Sequence, residues 1–398
     1  MAKRKKLILS GNYAAAYAAK EARVEVIPIY PITPQTTVVE KLVEFVENGE
    51  MNAEIIHADS EHSAMAAAIG ASAAGARVFT ATASHGLLYM YEMVWWAANA
   101  RLPIVAGFVT RAIGPPWNIW SDHNDFLSMR DCGWILMFAS NAQEVFDLII
   151  QAYKIAENPD IRLPVGVAWD GFEISHSYEP VEVISHEELS NFLPDPRNIK
   201  PILDVNNPVT IGNVPIAKDH MKYRHSIWIS MERARSVIRK VMEEYNSISG
   251  RNYGKLLDEY RTIDADTIIV TMGAISGDAK MAINKLREKG ERVGLARIRV
   301  IRPFPISEFI RLGKIANRLI IIDRNFSSGF GGIVANEVRA LFYEYYIDTP
   351  IYNFLTGLAG TEVSSGDFTN MYMLVKERKV KPLRAYWYYH GGEYYDFT

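Results

Sequence analysis

The sequence predicts an α/β protein of two open parallel-sheet domains, joined by a long proline-rich connection and a helix. Apolar runs such as Val24–Tyr30, Pro103–Val109, Leu163–Trp169 and Leu319–Asp323 read as strands buried on both faces, as in parallel sheets. Helix-length segments alternate with them in a βαβ rhythm. Between the two alternating sets, Tyr178–His225 is scattered with Pro180, Pro194, Pro196, Pro201, Pro208 and Pro215. It reads as an extended connection draped over the first domain. A packing helix follows over Ile227–Asn246, with apolar Val237, Ile238, Val241 and Met242 set among charges. The expected boundaries are 1–177, 178–264 and 265–398.

Composition narrows the functional classes. The 398-residue chain is long enough for two or three domains with cores of their own. A formal charge of −3 gives no overall signature of a nucleic-acid or membrane partner. The basic cluster Lys3–Lys6 is short and reads as a solvated end. The single cysteine, Cys132, excludes an intrachain disulfide framework, fits a reducing compartment and cannot ligate an iron–sulfur cluster by itself. No apolar run approaches ~18 residues and no signal-peptide pattern is present, so a cytoplasmic location is expected.

In chain order, Leu7–Leu9 is a short strand, Gly11 a turn and Tyr13–Ala22 a helix. After Val24–Tyr30, Thr33 reads as an N-cap with Pro34 at the first helical position of Gln35–Val46. Its hydroxyl and the free N–H groups of that turn either just cap the helix or face an anion. Glu54–His57 is a strand, an Ala-rich helix starts near Ser60, Val78–Thr82 is the next strand, and Leu87–Asn99 is helical. The strand ending at Thr110-Arg111 opens into Ala112–Phe126, a loop too rich in Pro, Trp, Asn and Asp to be a mere connector. Arg111 is either a ligand-facing cation or the partner of Asp122 or Asp125. Trp134–Phe138, Ala142–Glu157 and Leu163–Trp169 complete the first set.

The second set is Thr267–Thr271, a turn at Gly273 and Gly277, the helix Ala279–Lys289, and the strand Val293–Arg299. The helix Ile306–Ala316 and the strand Leu319–Asp323 follow. The glycine-rich loop Asn325–Gly332 leads into a helix at Ile333. It matches no phosphate-binding fingerprint, so a tight turn is the simpler reading. The aromatic tail, with Tyr386, Trp387, Tyr388 and Tyr389, is too apolar to be free.

Ile55–Gly86 is the stretch around which the rest is organised. It places Glu61 in the first turn of a helix, at the strand-to-helix edge where open sheets hold ligands. A glutamate there complements the helix dipole without any ligand. Yet Ala66, Gly70 and Ala74 leave one face of that helix nearly bare, open to a helix, a subunit or a flat ligand. His57, Asp59, Glu61 and His62 also admit a metal reading, but no further His or Cys stands at a ligand spacing.

The order Tyr30-Pro31-Ile32-Thr33-Pro34, Ser60-Glu61-His62-Ser63-Ala64 and Gly70–Arg77 closely resembles the alpha subunit of 2-oxoacid:ferredoxin oxidoreductases, of the pyruvate or branched-chain type. Arg101–Val105, Ser121-Asp122-His123, Arg130-Asp131, Gly133-Trp134-Ile135, Arg302–Pro305 and Asp323–Ser327 extend it along nearly the whole chain. The resemblance implies a thiamine-diphosphate pyrimidine-binding-type domain followed by a transketolase C-terminal-like domain. It implies oxidative decarboxylation of a 2-oxoacid, pyruvate favoured, with coenzyme A and ferredoxin. Branched-chain or other 2-oxoacids are the alternative, or a non-catalytic scaffold role, against which the joint retention of Thr33, Glu61 and Arg111 argues.

By the same resemblance Glu61 contacts the pyrimidine of thiamine diphosphate, while Ile32, Ser84 and His85 line the cofactor side. Arg111 and Thr33 hold the substrate. A carboxyl at ring N1′ favours the imino tautomer, which can deprotonate the thiazolium. The Gly-Asp-Gly diphosphate and magnesium motif does not occur here, nor does a cysteine-rich cluster spacing. The resemblance therefore implies half a site, completed by a beta subunit. Magnesium and iron–sulfur clusters are expected on beta, gamma and ferredoxin-like delta partners. Two departures stand out: Ser84-His85 replaces the commoner Ser-Gln or Ser-Ser, and Gly357–Glu362 replaces Gly-Gly-Arg-Asp. His85 puts a titratable ring near the expected pocket and, with Trp117 and Trp120 near, leaves open a 2-oxoacid other than plain pyruvate. A free-standing dinucleotide-binding protein is disfavoured because no G-x-G-x-x-G follows a strand.

Overall fold

The computed structural model describes residues 4–199, 201–382 and 384–396. Strands and helices alternate as β1 (Lys5–Ser10), α1 (Gly11–Glu21), β2 (Val26–Ile29), α2 (Thr36–Glu47), β3 (Glu54–His57), α3 (Glu61–Ala73) and β4 (Phe79–Thr82). There follow α4 (Ser84–Tyr89), α5 (Tyr91–Asn99), β5 (Val105–Thr110), α6 (Asn124–Leu127), β6 (Ile135–Phe138), α7 (Ala142–Ala156) and β7 (Val165–Asp170). The connection holds β8 (Tyr178–Val183) and the long α8 (Ala217–Ser249). Beyond it come β9 (Leu257–Tyr260), β10 (Thr267–Met272), α9 (Ser276–Glu288), β11 (Val293–Ile298), β12 (Val300–Arg302) and α10 (Ile306–Ile315). The chain closes with β13 (Arg318–Asp323), α11 (Ile333–Glu344), β14 (Ile351–Leu355), α12 (Ser365–Lys376), β15 (Ala385–Tyr388) and β16 (Tyr394–Tyr395).

The first sheet has the order β12-β6-β7-β5-β4, parallel except for β12. β2 and β3 form a parallel pair beside it, tied to the β4 side by a Val26–Val78 bridge. Pro28 explains why that ladder stops. It has no N–H to offer, and its carbonyl instead accepts the Thr80 hydroxyl at 2.8 Å. The chain passes from β2 to β3 on one side, then returns to β4 on the other. The unladdered gap between β2 and β4 is therefore the topological switch point, where open sheets take ligands. The second sheet runs β16-β15-β14-β13-β10-β11-β9, parallel from β15 to β11 with antiparallel edges.

Several short segments depart from the sequence expectation. β1 pairs antiparallel with β8, so the first strand lies outside the parallel sheet and the connection opens as a strand. α8 begins at Ala217, inside the span read as loop. β9 adds an unforeseen edge, and β12 leaves the second half to extend the first sheet. Gly11 opens α1 rather than turning the chain; its backbone packs on Ile174, where a Cβ would come within 2.7 Å. Leu87–Asn99 divides at Met90 into α4 and α5. In the basic cluster Lys5 and Lys6 are exposed as expected, whereas Arg4 is half-buried, pairs with Glu182 and Glu188 and donates to the Ser249 carbonyl. Lys3, the start of that basic cluster, lies outside the described residues. The aromatic tail packs as expected, with Tyr386 and Tyr388 buried on β15, although its last two residues lie outside the described ones.

Buried charge joins the halves. Glu144 on α7 accepts Arg297 Nη1 at 2.7 Å and Arg299 Nε at 2.6 Å, and all three side chains are buried. Burial alone pushes the Glu144 carboxyl up, but the two arginines overcome it and hold it down at about 2. Its contribution to stability is thus present above the ordinary value of 4.5 and lost as pH falls toward about 2. Glu144→Ala leaves buried Arg299 without a counter-charge and Arg297 with Asp258 alone, and is expected to destabilise the chain by about 3 kcal/mol. Equilibrium denaturation checks this; an unchanged midpoint contradicts it. Asp170, at the end of β7, forms the second joint. It accepts Arg324 Nη1 (2.9 Å), His123 Nε2 (2.8 Å), Ser121 Oγ (2.9 Å) and the Ala274 N–H (2.7 Å). Burial opposes its ionisation, yet Arg324 and His123 hold it below the usual carboxylate range.

Candidate functional site at the switch point

Glu61 is the first residue of α3, whose N-cap Ser60 accepts the Ser63 N–H at 3.2 Å. Its side chain does not lie along the helix surface as a simple dipole complement. It is 7% exposed and reaches Gly86 on α4, where an added Cβ would sit 2.6 Å from Glu61 Oε1 and 2.5 Å from Thr82 Oγ1. Among the described residues the Glu61 carboxyl accepts no hydrogen bond, and the Thr82 hydroxyl is buried without a partner. Two polar groups of the protein thus converge beside Gly86 with no hydrogen-bond partner among the described residues. Buried polar groups are ordinarily satisfied, so two that meet here unpartnered point to a ligand.

Thr33 is not a helix cap. α2 starts at Thr36, its N-cap Gln35 makes no side-chain cap bond, and the Gln35 N–H closes a turn on the Ile32 carbonyl at 2.7 Å. Tertiary contacts override the local Thr-Pro signal: Pro34 is buried beside Gly171, and its carbonyl accepts Asn12 Nδ2 at 2.7 Å. Thr33 instead sits exposed at the rim, and its carbonyl accepts Arg111 Nη1 at 2.9 Å. Arg111, 8% exposed, also donates through Nε to the Asn118 carbonyl at 3.3 Å. Its guanidinium pairs with neither Asp122 nor Asp125, and Nη2 makes no hydrogen bond among the described residues. Only the Arg111 backbone N–H meets Asp125, at 3.0 Å. Burial lowers the Arg111 pKa, and Asp125 partly offsets this.

Ile32 packs half-buried on the core beneath the turn. Ser84 is fully buried in a left-handed conformation (φ 46°), its N–H given to Asp125 and its hydroxyl to the Ala112 carbonyl at 2.7 Å. His85 turns toward the proline-rich loop. Nδ1 lies 3.2 Å from Ser84 Oγ, Nε2 lies 2.9 Å from the Gly114 carbonyl, and the ring packs on Trp117 with centroids 4.5 Å apart. Thr33, Glu61 and Arg111 therefore come from the ends of three strands to one edge of the sheet, with Ser84 beside them. Thr82, Gly86 and Asp125 were not foreseen as site residues. A glycine four positions after the strand and an acid inside a long polar and aromatic loop were the available signals.

Other readings lose ground. Among the described residues no group of three or more His, Cys, Asp or Glu is placed to hold a metal, and His62 lies 3.5 Å from Glu92 instead. The glycine-rich loop is a tight turn whose helix end is already filled. Asp323 accepts the Val334 and Ala335 N–H groups at the start of α11, and a Cβ on Gly332 would come within 1.9 Å of its Oδ2. The bare face of α3 remains uncovered, with Gly70 and Ala74 exposed. No helix among the described residues is long and apolar enough to cross a membrane.

Residues 17–243 match the family described as pyruvate flavodoxin/ferredoxin oxidoreductase, thiamine diphosphate-binding, and residues 265–368 match pyruvate:ferredoxin oxidoreductase core domain II. The chain is 46% identical to the pyruvate synthase subunit PorA of Methanocaldococcus jannaschii, over 90% of its own length and 92% of that relative. It is 42% identical to the ketoisovalerate oxidoreductase subunit VorA of Pyrococcus horikoshii, over 91% of each chain. In structure, a 2-oxoglutarate:ferredoxin oxidoreductase from Magnetococcus marinus shares the fold with a TM-score of 0.68 at 18% identity, over 94% of this chain and 65% of that longer one. A split-gene transketolase shares it at 0.55 and 12% identity, over 94% of this chain and 99% of that one. The chain belongs to the pyruvate flavodoxin/ferredoxin oxidoreductase family.

Proposed function

We propose that this chain is the alpha-type subunit of a 2-oxoacid:ferredoxin oxidoreductase and supplies the pyrimidine end of a thiamine diphosphate site. The observation that carries the reading is the buried Glu61 carboxyl, unpartnered among the described residues and meeting the Thr82 hydroxyl beside Gly86 at the switch point. A flat heterocycle with ring nitrogen and amino groups suits that donor and acceptor set. When bound, thiamine diphosphate supplies a carbon nucleophile for the 2-oxoacid carbonyl and an electron sink for decarboxylation.

The chain's own residues then have separable tasks. Glu61 holds the pyrimidine by sharing a proton with ring N1′, a task that suits a carboxyl screened from water. Arg111 is pinned at two donors by the Thr33 and Asn118 carbonyls and keeps Nη2 for a substrate carboxylate. Thr33 brings its exposed hydroxyl to the same rim. Ile32 and the Ser84 turn wall the pocket, and His85 fastens the loop above it. The chain lacks a diphosphate-binding motif and has one cysteine, buried as a free thiol. A beta subunit is therefore proposed to hold the diphosphate and magnesium. Gamma and delta subunits are proposed to carry further iron–sulfur clusters, with coenzyme A as co-substrate and ferredoxin as acceptor.

Pyruvate is the favoured substrate, consistent with the relatives named pyruvate synthase. A branched-chain 2-oxoacid is the second reading. It is favoured by Ile113, Trp117 and Ile119, which expose apolar surface on the loop that Arg111 and His85 hold. The test is coenzyme A-dependent viologen reduction by the complex that co-purifies with this chain, scanned over pyruvate, 2-oxoisovalerate and 2-oxoglutarate. Turnover of one of these supports the reading. A complex that contains thiamine diphosphate but reduces viologen with none of them contradicts it.

A further inference from the structure

Asp125 lies on α6, is 1% exposed and forms no ion pair among the described residues. Burial, reinforced by Asp122, pushes its carboxyl up to about 8. An uncompensated carboxyl in such a place is expensive and calls for a return. What it holds is specific. A single oxygen, Oδ2, accepts the Ser84 N–H at 2.9 Å and the Arg111 N–H at 3.0 Å, while Oδ1 accepts the Phe126 N–H at 2.7 Å. Ser84 follows β4 and opens α4, whose Gly86 meets Glu61; Arg111 follows β5 and carries the free Nη2. Ser84 also stands in a left-handed conformation that few residues other than glycine adopt, so its turn needs such a restraint. Phe126, fully buried, seats α6 in the core and gives the carboxyl a fixed base.

We propose that Asp125 is the positioning residue that sets the Arg111 grip at a fixed distance from the Glu61 carboxyl, by holding the backbone of two strand ends on one carboxyl oxygen. The inference rests on the proposed function. It assigns to Asp125 an effect on how the 2-oxoacid is held rather than contact with it.

The experiment compares wild type, Asp125→Ala, Asp125→Glu and Asp125→Asn in the assembled complex. The Ala variant lacks the oxygen, the Glu variant displaces it while keeping the carboxyl group, and the Asn variant keeps an oxygen in place. The KM for the 2-oxoacid is expected to rise about tenfold in Ala and Glu and to stay within about threefold in Asn, with the KM for coenzyme A unmoved. Calorimetric affinity for oxamate, a non-decarboxylating 2-oxoacid mimic, is expected to fall in parallel. If Ala does not assemble, Glu carries the test alone. A well-assembled Glu variant with unchanged KM and oxamate affinity, differing from wild type only in thermal midpoint, overturns the proposal. Failure of wild type to turn over any 2-oxoacid would instead count against the proposed function.

Discussion

Glu61→Gln is expected to leave the complex assembled while 2-oxoacid-dependent viologen reduction falls by about 10²–10⁴-fold, the usual worth of a positioned acid–base group. The substitution is nearly isosteric, so the close packing on Thr82 and Gly86 is kept. What it loses is the ability to exchange a proton with a ring nitrogen. An amide can still accept or donate a hydrogen bond, so thiamine diphosphate affinity should change far less than turnover. Steady-state kinetics and calorimetric cofactor titration separate the two. A variant that keeps most of its turnover removes Glu61 from the chemistry.

Arg111→Ala is expected to lower kcat/KM for the 2-oxoacid by about a hundredfold, the order found when one partner of a buried charged hydrogen bond is truncated. The side chain does more than offer charge. It holds the Thr33 carbonyl and the Asn118 carbonyl together, so the rim turn and the proline-rich loop loosen with its removal. Arg111→Lys separates the two roles. The ammonium keeps the charge but cannot bridge both carbonyls and still reach a carboxylate, so it should recover only part of the loss. Equal activity of Arg, Lys and Ala at this position would show that no substrate carboxylate is held there.

Much of this arrangement was legible in the order of the residues. Apolar runs and intervening helices located most strands of both parallel sheets, and Thr33, Glu61 and Arg111 were each placed at a strand end. The unread parts depend on partners distant in the chain. No local pattern tells that Lys5–Ser10 pairs with Tyr178–Val183, or that three residues after Arg299 cross to the first sheet. Thr33-Pro34 carried a helix-start signal, but burial of Pro34 and the bond from Asn12 delayed the helix to Thr36. Pro28 was visible as a residue; its consequence was not. Only with β4 alongside does its missing N–H become the break that opens the switch point. Arg111 was weighed against Asp122 and Asp125 as ion-pair partners, yet Asp125 meets its backbone instead. Sequence proximity suggested the pair but not which atoms meet.

A structure of the purified complex with thiamine diphosphate measures the decisive distance, from the Glu61 carboxyl to N1′ of the pyrimidine. A separation within hydrogen-bond range, about 2.5–3.0 Å, with the diphosphate held by another polypeptide, is the expected result. A pyrimidine bound elsewhere, with the carboxyl of residue 61 facing solvent or its own backbone, would contradict it.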